Sequence, residues 1–87
     1  MAIAILSHRV MDYDSWKKDY DADLPRRTAA GLTEIAVGQR SGDPGMVYMI
    51  FDVKNALALE KMVSDPDLQR VMQLAGVISE PDLVIIE

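Results

Sequence analysis

The stretch Met46–Val53, with the sequence M-V-Y-M-I-F-D-V, is apolar on both of the sides that a β-strand presents. Successive side chains of a strand point to opposite faces of a sheet, and here each alternating set is apolar apart from Asp52. One set is Met46, Tyr48, Ile50 and Asp52, and the other is Val47, Met49, Phe51 and Val53. Such a strand needs cover on both sides, which predicts a central strand with helices against one face of its sheet and a second subunit against the other.

The length of the chain also favours a second subunit. A single domain over residues 1–87 buries only about 60 to 65% of the surface that its unfolded chain exposes, so its stability is marginal without an added device. The sequence has no cysteine, which excludes disulfides, cysteine-ligated zinc and thiol nucleophiles. Oligomerisation is the remaining device, and we therefore predict a homodimer.

The charge of the chain excludes several classes of partner. Nine basic and fourteen acidic residues give a net charge of −5, which disfavours nucleic acid and anionic lipid surfaces. No run approaches the roughly 20 apolar residues of a membrane span, and the first ten residues lack the basic start of a signal sequence. We expect a cytoplasmic protein with neither nucleic acid nor a membrane as a partner.

Hydrophobic periodicity predicts four strands and two helical regions. The strands are predicted over Ala2–Val10, Leu32–Arg40, Met46–Val53 and Pro81–Glu87. The first helical region is predicted to start at the N-cap Asp14, to break near Asp23 because of Pro25, and to end at Gly31. The second has two segments, capped by Asn55 and Asp65, and ends at Gly76. We assign Ser41–Gly45 entirely to a turn between the second and third strands.

The element order β-α-β-β-α-β defines the fold class. It predicts an α+β, ferredoxin-like domain in which right-handed crossovers place both helical regions on one face of a four-stranded antiparallel sheet. The other face of the sheet would be bare and apolar over an area larger than soluble monomers usually expose. A symmetric dimer that packs sheet on sheet would cover it.

Several segments resemble a known group of proteins. They are His8, the run Asp12–Lys17 followed by Tyr20 and Asp21, Arg27 before Gly31, Asp43 with Pro44, and Ala75–Val77 before Pro81. Together they are similar to the small dimeric α+β barrel proteins related to antibiotic-biosynthesis monooxygenases and polyketide cyclases. The resemblance covers nearly the whole chain. It implies a homodimeric barrel with a small-molecule cavity between the sheet and the helices of each subunit, often with no metal or organic cofactor.

Two side chains are candidates for catalysis. His8 is the sole histidine and the one side chain with an ordinary pKa near neutrality, so it could act as a general acid or base. In the related cyclases, histidines on strands have that role. Tyr48 lies in the middle of the central strand and could orient a phenolic or enolic oxygen. The structural alternatives are a packed histidine at the end of a strand and a tyrosine in the core or the dimer interface.

Four further side chains are candidates for ligand contact. Tyr13, Trp16 and Tyr20 recur at helical spacing and could clamp a planar ligand, or could form the buried face of a helix that continues to Leu24 and Arg27. Asp52 could face the cavity as a carboxylate of raised pKa, or could pair with Arg9, Arg27 or Arg40. One histidine with scattered aspartates is poor material for a metal site, so none is predicted.

These observations favour a protein that binds a small apolar or aromatic ligand. As an enzyme it would be a cofactor-independent cyclase or monooxygenase acting on an enolisable aromatic or polyketide-like substrate. His8 would move the proton, Tyr48 would orient the oxygen, and Trp16 and Tyr20 would form the cavity wall. The alternative is a non-catalytic dimeric binding or stress-response module, and the sequence does not decide between them.

Overall fold

A computed structural model describes residues 2–87 as four strands and four short helices. The strands are β1 (Ala2–Arg9), β2 (Leu32–Arg40), β3 (Asp43–Val53) and β4 (Asp82–Ile86). The helices are α1 (Tyr13–Ala22), α2 (Leu24–Ala29), α3 (Ala56–Ser64) and α4 (Pro66–Leu74). Each of the two helical regions is divided where the sequence predicts a division, near Asp23 and at Asp65.

The four strands form one antiparallel sheet in the order β2-β3-β1-β4. The two central strands, β1 and β3, pair with Leu6 opposite Met49 and His8 opposite Val47. β2, the most polar of the four strands, lies at one edge of the sheet, where open backbone groups are compatible with polar side chains. This arrangement confirms the predicted α+β, ferredoxin-like fold.

The start of α1 differs from the prediction. Asp12, not Asp14, is the N-cap, and its Oδ2 accepts a hydrogen bond from the backbone N–H of Ser15 at 2.9 Å. Asp12 has an extended backbone, as an N-cap requires, whereas Asp14 already lies in the first turn of the helix. There its carboxylate faces the positive end of the helix dipole, so both aspartates favour the same helix start.

Of the other three helices, α3 and α4 start at the predicted side-chain caps. Asn55 Oδ1 accepts from the N–H groups of Leu57 and Ala58, and Asp65 Oδ1 accepts from that of Asp67. Pro66 occupies the first turn of α4, where a missing N–H breaks no helical bond. At the start of α2, Asp23 makes no capping hydrogen bond, because its carboxylate accepts from Arg26 instead.

The hairpin between β2 and β3 is tighter than predicted. The turn consists of Ser41 and Gly42, with Gly42 at a φ of +81°, and β3 already starts at Asp43. The assignment of Asp43, Pro44 and Gly45 to the turn is therefore wrong. Asp43 accepts two hydrogen bonds from the Arg9 guanidinium, at 3.0 and 2.8 Å, and these link β3 to the neighbouring strand β1.

The two faces of the sheet have different surroundings. The face toward the helices is buried, and its central members are Ala4, Leu6, His8, Val47, Met49, Phe51 and Val53. The opposite face, which we call the open face, carries Ile3, Ile5, Tyr48, Ile50, Val84 and Ile86. Val84 is 46% and Ile86 is 51% exposed, and no helix described within residues 2–87 packs on this face. The predicted second apolar face is therefore present.

Candidate functional site

A cavity lies between the sheet and the helices. Its volume is about 80 Å³. This volume exceeds the roughly 10 to 15 Å³ that one water molecule needs. The sheet contributes Leu6, His8, Met49 and Phe51, and the helices contribute mainly apolar and aromatic side chains from α1, α3 and α4. The apolar part of this lining is therefore suited to an apolar ligand.

His8 is the polar group on the sheet side of this cavity. It is 3% exposed, and its Nδ1 has no hydrogen-bond partner among residues 2–87. Burial lowers the pKa of the imidazole below its ordinary value of 6.5, so His8 is neutral at pH 7. A neutral imidazole carries one donor and one acceptor nitrogen, and none of the described residues uses the Nδ1 of His8.

Aromatic rings form one wall of the cavity. The His8 and Trp16 rings make a T-shaped contact with centroids 5.5 Å apart, and Trp16 stacks on Tyr20 at 5.0 Å. Trp16 and Tyr20 both line the cavity, as the sequence predicts for ligand-contacting residues. Tyr13 packs on Trp16 at 5.7 Å and is not part of the lining, so it supports the wall from behind.

Tyr20 is fixed on both its polar and its apolar sides. Its hydroxyl donates a hydrogen bond to Glu34 Oε1 at 2.7 Å, and the Arg27 guanidinium lies 3.7 Å above the centre of its ring. Burial and the Glu34 hydrogen bond raise the pKa of Tyr20 well above its ordinary value. Tyr20 therefore stays protonated and serves as a rigid wall rather than as a proton donor or acceptor.

The mouth of the cavity is held by an arginine that the sequence analysis did not single out. The Arg26 guanidinium bonds to Asp23 at 3.1 Å, to Asp65 at 3.2 Å and to Asp67 at 2.7 Å. The contacts with Asp65 and Asp67 connect the first helical region with the start of α4 across 39 and 41 positions of sequence. A charge pattern along one helix gives no sign of such a long-range network, which explains why it was missed.

Two of the predicted site residues lie on the open face instead. Tyr48 stands opposite Ser7, on the side of the sheet away from His8, so the predicted pair of catalytic residues does not share a site within one chain. Asp52 stands opposite Ile3 and is not in the cavity lining. Its predicted ion pair is also not formed within residues 2–87, since Arg9 pairs with Asp43.

Within residues 2–87 no group of three or more histidine, aspartate or glutamate side chains is arranged to hold a metal ion. None of the helices described has the length and apolar character needed to cross a bilayer.

Comparisons with known proteins identify the fold. No protein-family model matches the sequence, and a search of curated proteins finds no match. A Bordetella bronchiseptica protein, described provisionally as an antibiotic biosynthesis monooxygenase, superposes with a TM-score of 0.76 at 14% identity, over 99% of this chain and 94% of that one. An uncharacterised NIPSNAP-domain protein from Burkholderia xenovorans gives a TM-score of 0.68 at 17% identity, over 100% and 93% of the two chains.

A third solved structure has the same architecture. It is a Deinococcus radiodurans protein, also described provisionally as an antibiotic biosynthesis monooxygenase, with a TM-score of 0.61 at 13% identity over 100% of this chain and 91% of that one. At these identities the similarity establishes a shared fold. It confirms, at the level of the fold, the resemblance on which the sequence analysis drew, and leaves activity to be argued from the site.

Proposed function

We propose that the chain binds a small aromatic or polyketide-like molecule in the cavity between its sheet and helices, and that His8 removes a proton from it. The reaction would be a cofactor-independent cyclisation or oxygenation of an enolisable substrate. The observation that carries this proposal is the position of His8: its buried Nδ1 lacks a partner within residues 2–87, and the residue belongs to the lining of a cavity whose sheet side is otherwise apolar.

The energetics of that nitrogen favour a ligand. A buried polar atom without a hydrogen bond costs about 1 to 3 kcal/mol, which a bound hydrogen-bonding group would recover. Apolar rings packed against Trp16 and Tyr20 would add the free energy of surface removed from water. Both contributions select for a molecule with a flat apolar body and one polar or acidic position directed at His8.

The same burial suits His8 to act as a base. A neutral imidazole accepts a proton from the activated carbon, and the enolate that forms is held beside the new imidazolium in a site with little water. In a cyclisation, the enolate carbon attacks a carbonyl of the same molecule, and the alkoxide that forms takes the proton from the His8 imidazolium. The resulting hydroxyl then leaves as water together with the second hydrogen of the attacking carbon, which leaves a carbon–carbon double bond. In an oxygenation, one atom of O₂ becomes a carbonyl oxygen and the other leaves as water with the two hydrogens of the reacting carbon.

The open face supports the predicted homodimer. Ile5 and Ile50 lie opposite each other at its centre, and Val84 and Ile86 extend it to the edge. A second copy of the chain, packed sheet on sheet by a two-fold axis, would remove this apolar surface from water. Tyr48 would then belong to the interface, which is the structural role that the sequence analysis set beside its catalytic one.

A second candidate function is a dimeric binding module without turnover. The observation in its favour is the separation of His8 from Tyr48. It leaves His8 on the cavity wall without the tyrosine that was predicted to orient the substrate oxygen. Such a protein would hold its ligand against Trp16 and Tyr20 without converting it. The two candidates share the cavity and differ in whether the bound molecule reacts.

One experiment separates them. A thermal-shift panel of enolisable aromatic ketones, such as anthrone and 2-tetralone, would show about 2.7 kcal/mol of stabilisation at one hundred times Kd for any compound that binds. Binding compounds are then incubated with the wild type and with His8→Ala, and conversion is followed by chromatography. Loss of conversion in His8→Ala with binding retained supports the enzyme. Conversion that His8→Ala leaves unchanged contradicts the role of His8, and binding without conversion by the wild type identifies the module.

A further inference from the structure

Arg27 is a buried cation on the wall of the cavity. It lies in α2, is 7% exposed and belongs to the cavity lining. Among residues 2–87 it forms no ion pair, whereas its neighbour Arg26 contacts three carboxylates. A buried charge is costly unless it is paired, so an arginine in this position calls for an anion.

The contacts that Arg27 does make fix its orientation without neutralising it. Its Nη1 donates to the backbone carbonyl of Tyr20 at 2.6 Å, in the last turn of α1, and its guanidinium plane lies over the Tyr20 ring. A guanidinium has five N–H donors, and this pattern uses one of them. The planar group is held in place by stacking while donors remain for the forked hydrogen bonds that a carboxylate accepts.

We propose that Arg27 binds a carboxylate of the ligand, so that the substrates are aromatic or polyketide-like carboxylic acids. This inference rests on the proposed function, since it concerns the same cavity. Arg27 would be a second residue, besides His8, that recognises the ligand. The class of expected ligands is then flat apolar molecules that carry a carboxylate.

The order of contacts along the wall fixes which end of the ligand is acidic. His8 meets Trp16, Trp16 stacks on Tyr20, and Tyr20 lies beneath Arg27. The aromatic stack of Trp16 and Tyr20 therefore lies between the base and the cation. A ligand that reaches both groups places its carboxylate away from the carbon that His8 deprotonates.

Two carboxylates at the cavity do not cancel this charge. Asp23 is already paired with Arg26 through two hydrogen bonds. Asp19 is exposed at the mouth, where water and salt screen its charge. Arg27 is the more deeply buried of the charged groups, so its interaction with a bound anion is the least screened.

The test compares two probes of the same shape. Isothermal titration calorimetry measures 2-naphthoate, which carries a carboxylate, and 2-naphthamide, its neutral counterpart, against the wild-type protein at low salt. Hydrogen bonds to a charged group predict that the wild type binds the naphthoate about tenfold or more tightly. Equal affinities overturn the role of Arg27 and leave the cavity proposal standing. Binding of neither probe overturns both.

Variants of Arg27 test whether this residue causes the preference for the naphthoate over the naphthamide. Arg27→Lys keeps the charge but loses the planar fork, so it should retain part of the preference for naphthoate. Arg27→Gln keeps a donor for the Tyr20 carbonyl without the charge and should bind both probes alike. The matched control is Arg40→Gln, which removes the same charge from an exposed position outside the cavity lining. Preference lost in Arg40→Gln, or kept in Arg27→Gln, contradicts the inference. The wild-type comparison stands if a variant fails to fold.

Discussion

The rings of His8 and Trp16 meet in a T-shaped contact, with centroids 5.5 Å apart and planes at 80°. Each of the two residues is 3% exposed, so the indole is one of the groups that shield the imidazole from water. Aromatic pairs in this geometry attract one another beyond the area they bury. The contact holds His8 against the cavity wall. The burial to which it contributes lowers the pKa of His8, and the dependence of stability on pH can detect that shift.

The first prediction concerns stability between pH 7 and pH 5. Burial lowers the pKa of His8 in the folded protein below the ordinary value of 6.5, so the unfolded chain binds the proton more tightly. The free energy of unfolding should therefore fall as the pH drops below about 6.5, and His8→Leu should flatten that fall. Urea unfolding at pH 7.5, 6.5 and 5.5 measures both proteins. Parallel pH profiles would contradict the assignment.

Two carboxylates that are paired with arginines, Asp43 and Asp67, lose their contribution to stability outside this window. Hydrogen bonds from Arg9 and Arg26 hold the pKa values of Asp43 and Asp67 below their ordinary value of 3.8. Each of these carboxylates contributes stability above that pH and loses it as the pH falls further. Their effect belongs to more acidic conditions than those of the His8 experiment.

A second prediction compares two leucines on α3. Leu59 is fully buried and Leu57 is 58% exposed. Leu59→Ala should lower the free energy of unfolding by about 2 to 5 kcal/mol because it leaves a cavity in the core. Leu57→Ala, the matched control on the same helix, should change it by less than about 0.5 kcal/mol. Chemical denaturation measures both, and similar effects would show that α3 does not pack as described.

A third prediction concerns the glycine that ends the first helical region. Gly31 has a φ of +78°, and a Cβ there would lie 3.3 Å from Cβ of Lys54. Gly31→Ala should lower stability by about 1 to 2 kcal/mol, the cost of a left-handed backbone for a residue with a side chain. Gly38 in β2 has open space for a Cβ, so Gly38→Ala should be neutral or stabilising by up to about 1 kcal/mol. Equal losses in the two variants would rule out the backbone explanation.

A fourth prediction tests the homodimer. Sedimentation velocity at micromolar concentration should find the wild type as a dimer. Ile50→Lys, at the centre of the open face, should give a monomer because it places a charge in the proposed interface. The control, Leu57→Lys, introduces the same charge at an exposed position on a helix and should stay dimeric. A monomeric wild type would contradict the sheet-on-sheet pairing.

The fold could be predicted from local patterns. Local residues signal three features of the fold: the apolar character of both sides of Met46–Val53, the break at Pro25, and the caps Asn55 and Asp65. Because these local signals agree with one another, the order of elements and the fold class follow from them. The errors lie at element ends, as at Asp12 and Asp43, where neighbouring residues offer two similar caps or turns.

The candidate site could be predicted only in part. The helical stripe places Trp16 and Tyr20 on one side of α1, and both residues line the cavity. The separation of His8 from Tyr48 was not predictable, since it depends on the register between β1 and β3. In that register even-numbered residues of β1 stand opposite odd-numbered residues of β3, so two even-numbered residues lie on opposite faces. A shift of one residue would reverse this, and no short-range pattern fixes it.

The position of Trp16 gives the protein an optical label of its own. It is the chain's sole tryptophan, and it is buried against the cavity between His8 and Tyr20. Indole emission under selective excitation therefore reports from the cavity wall alone, at the short wavelengths typical of a shielded indole. Filling of the site, or protonation of the adjacent imidazole, becomes a change in fluorescence intensity that can be followed in real time with no dye attached.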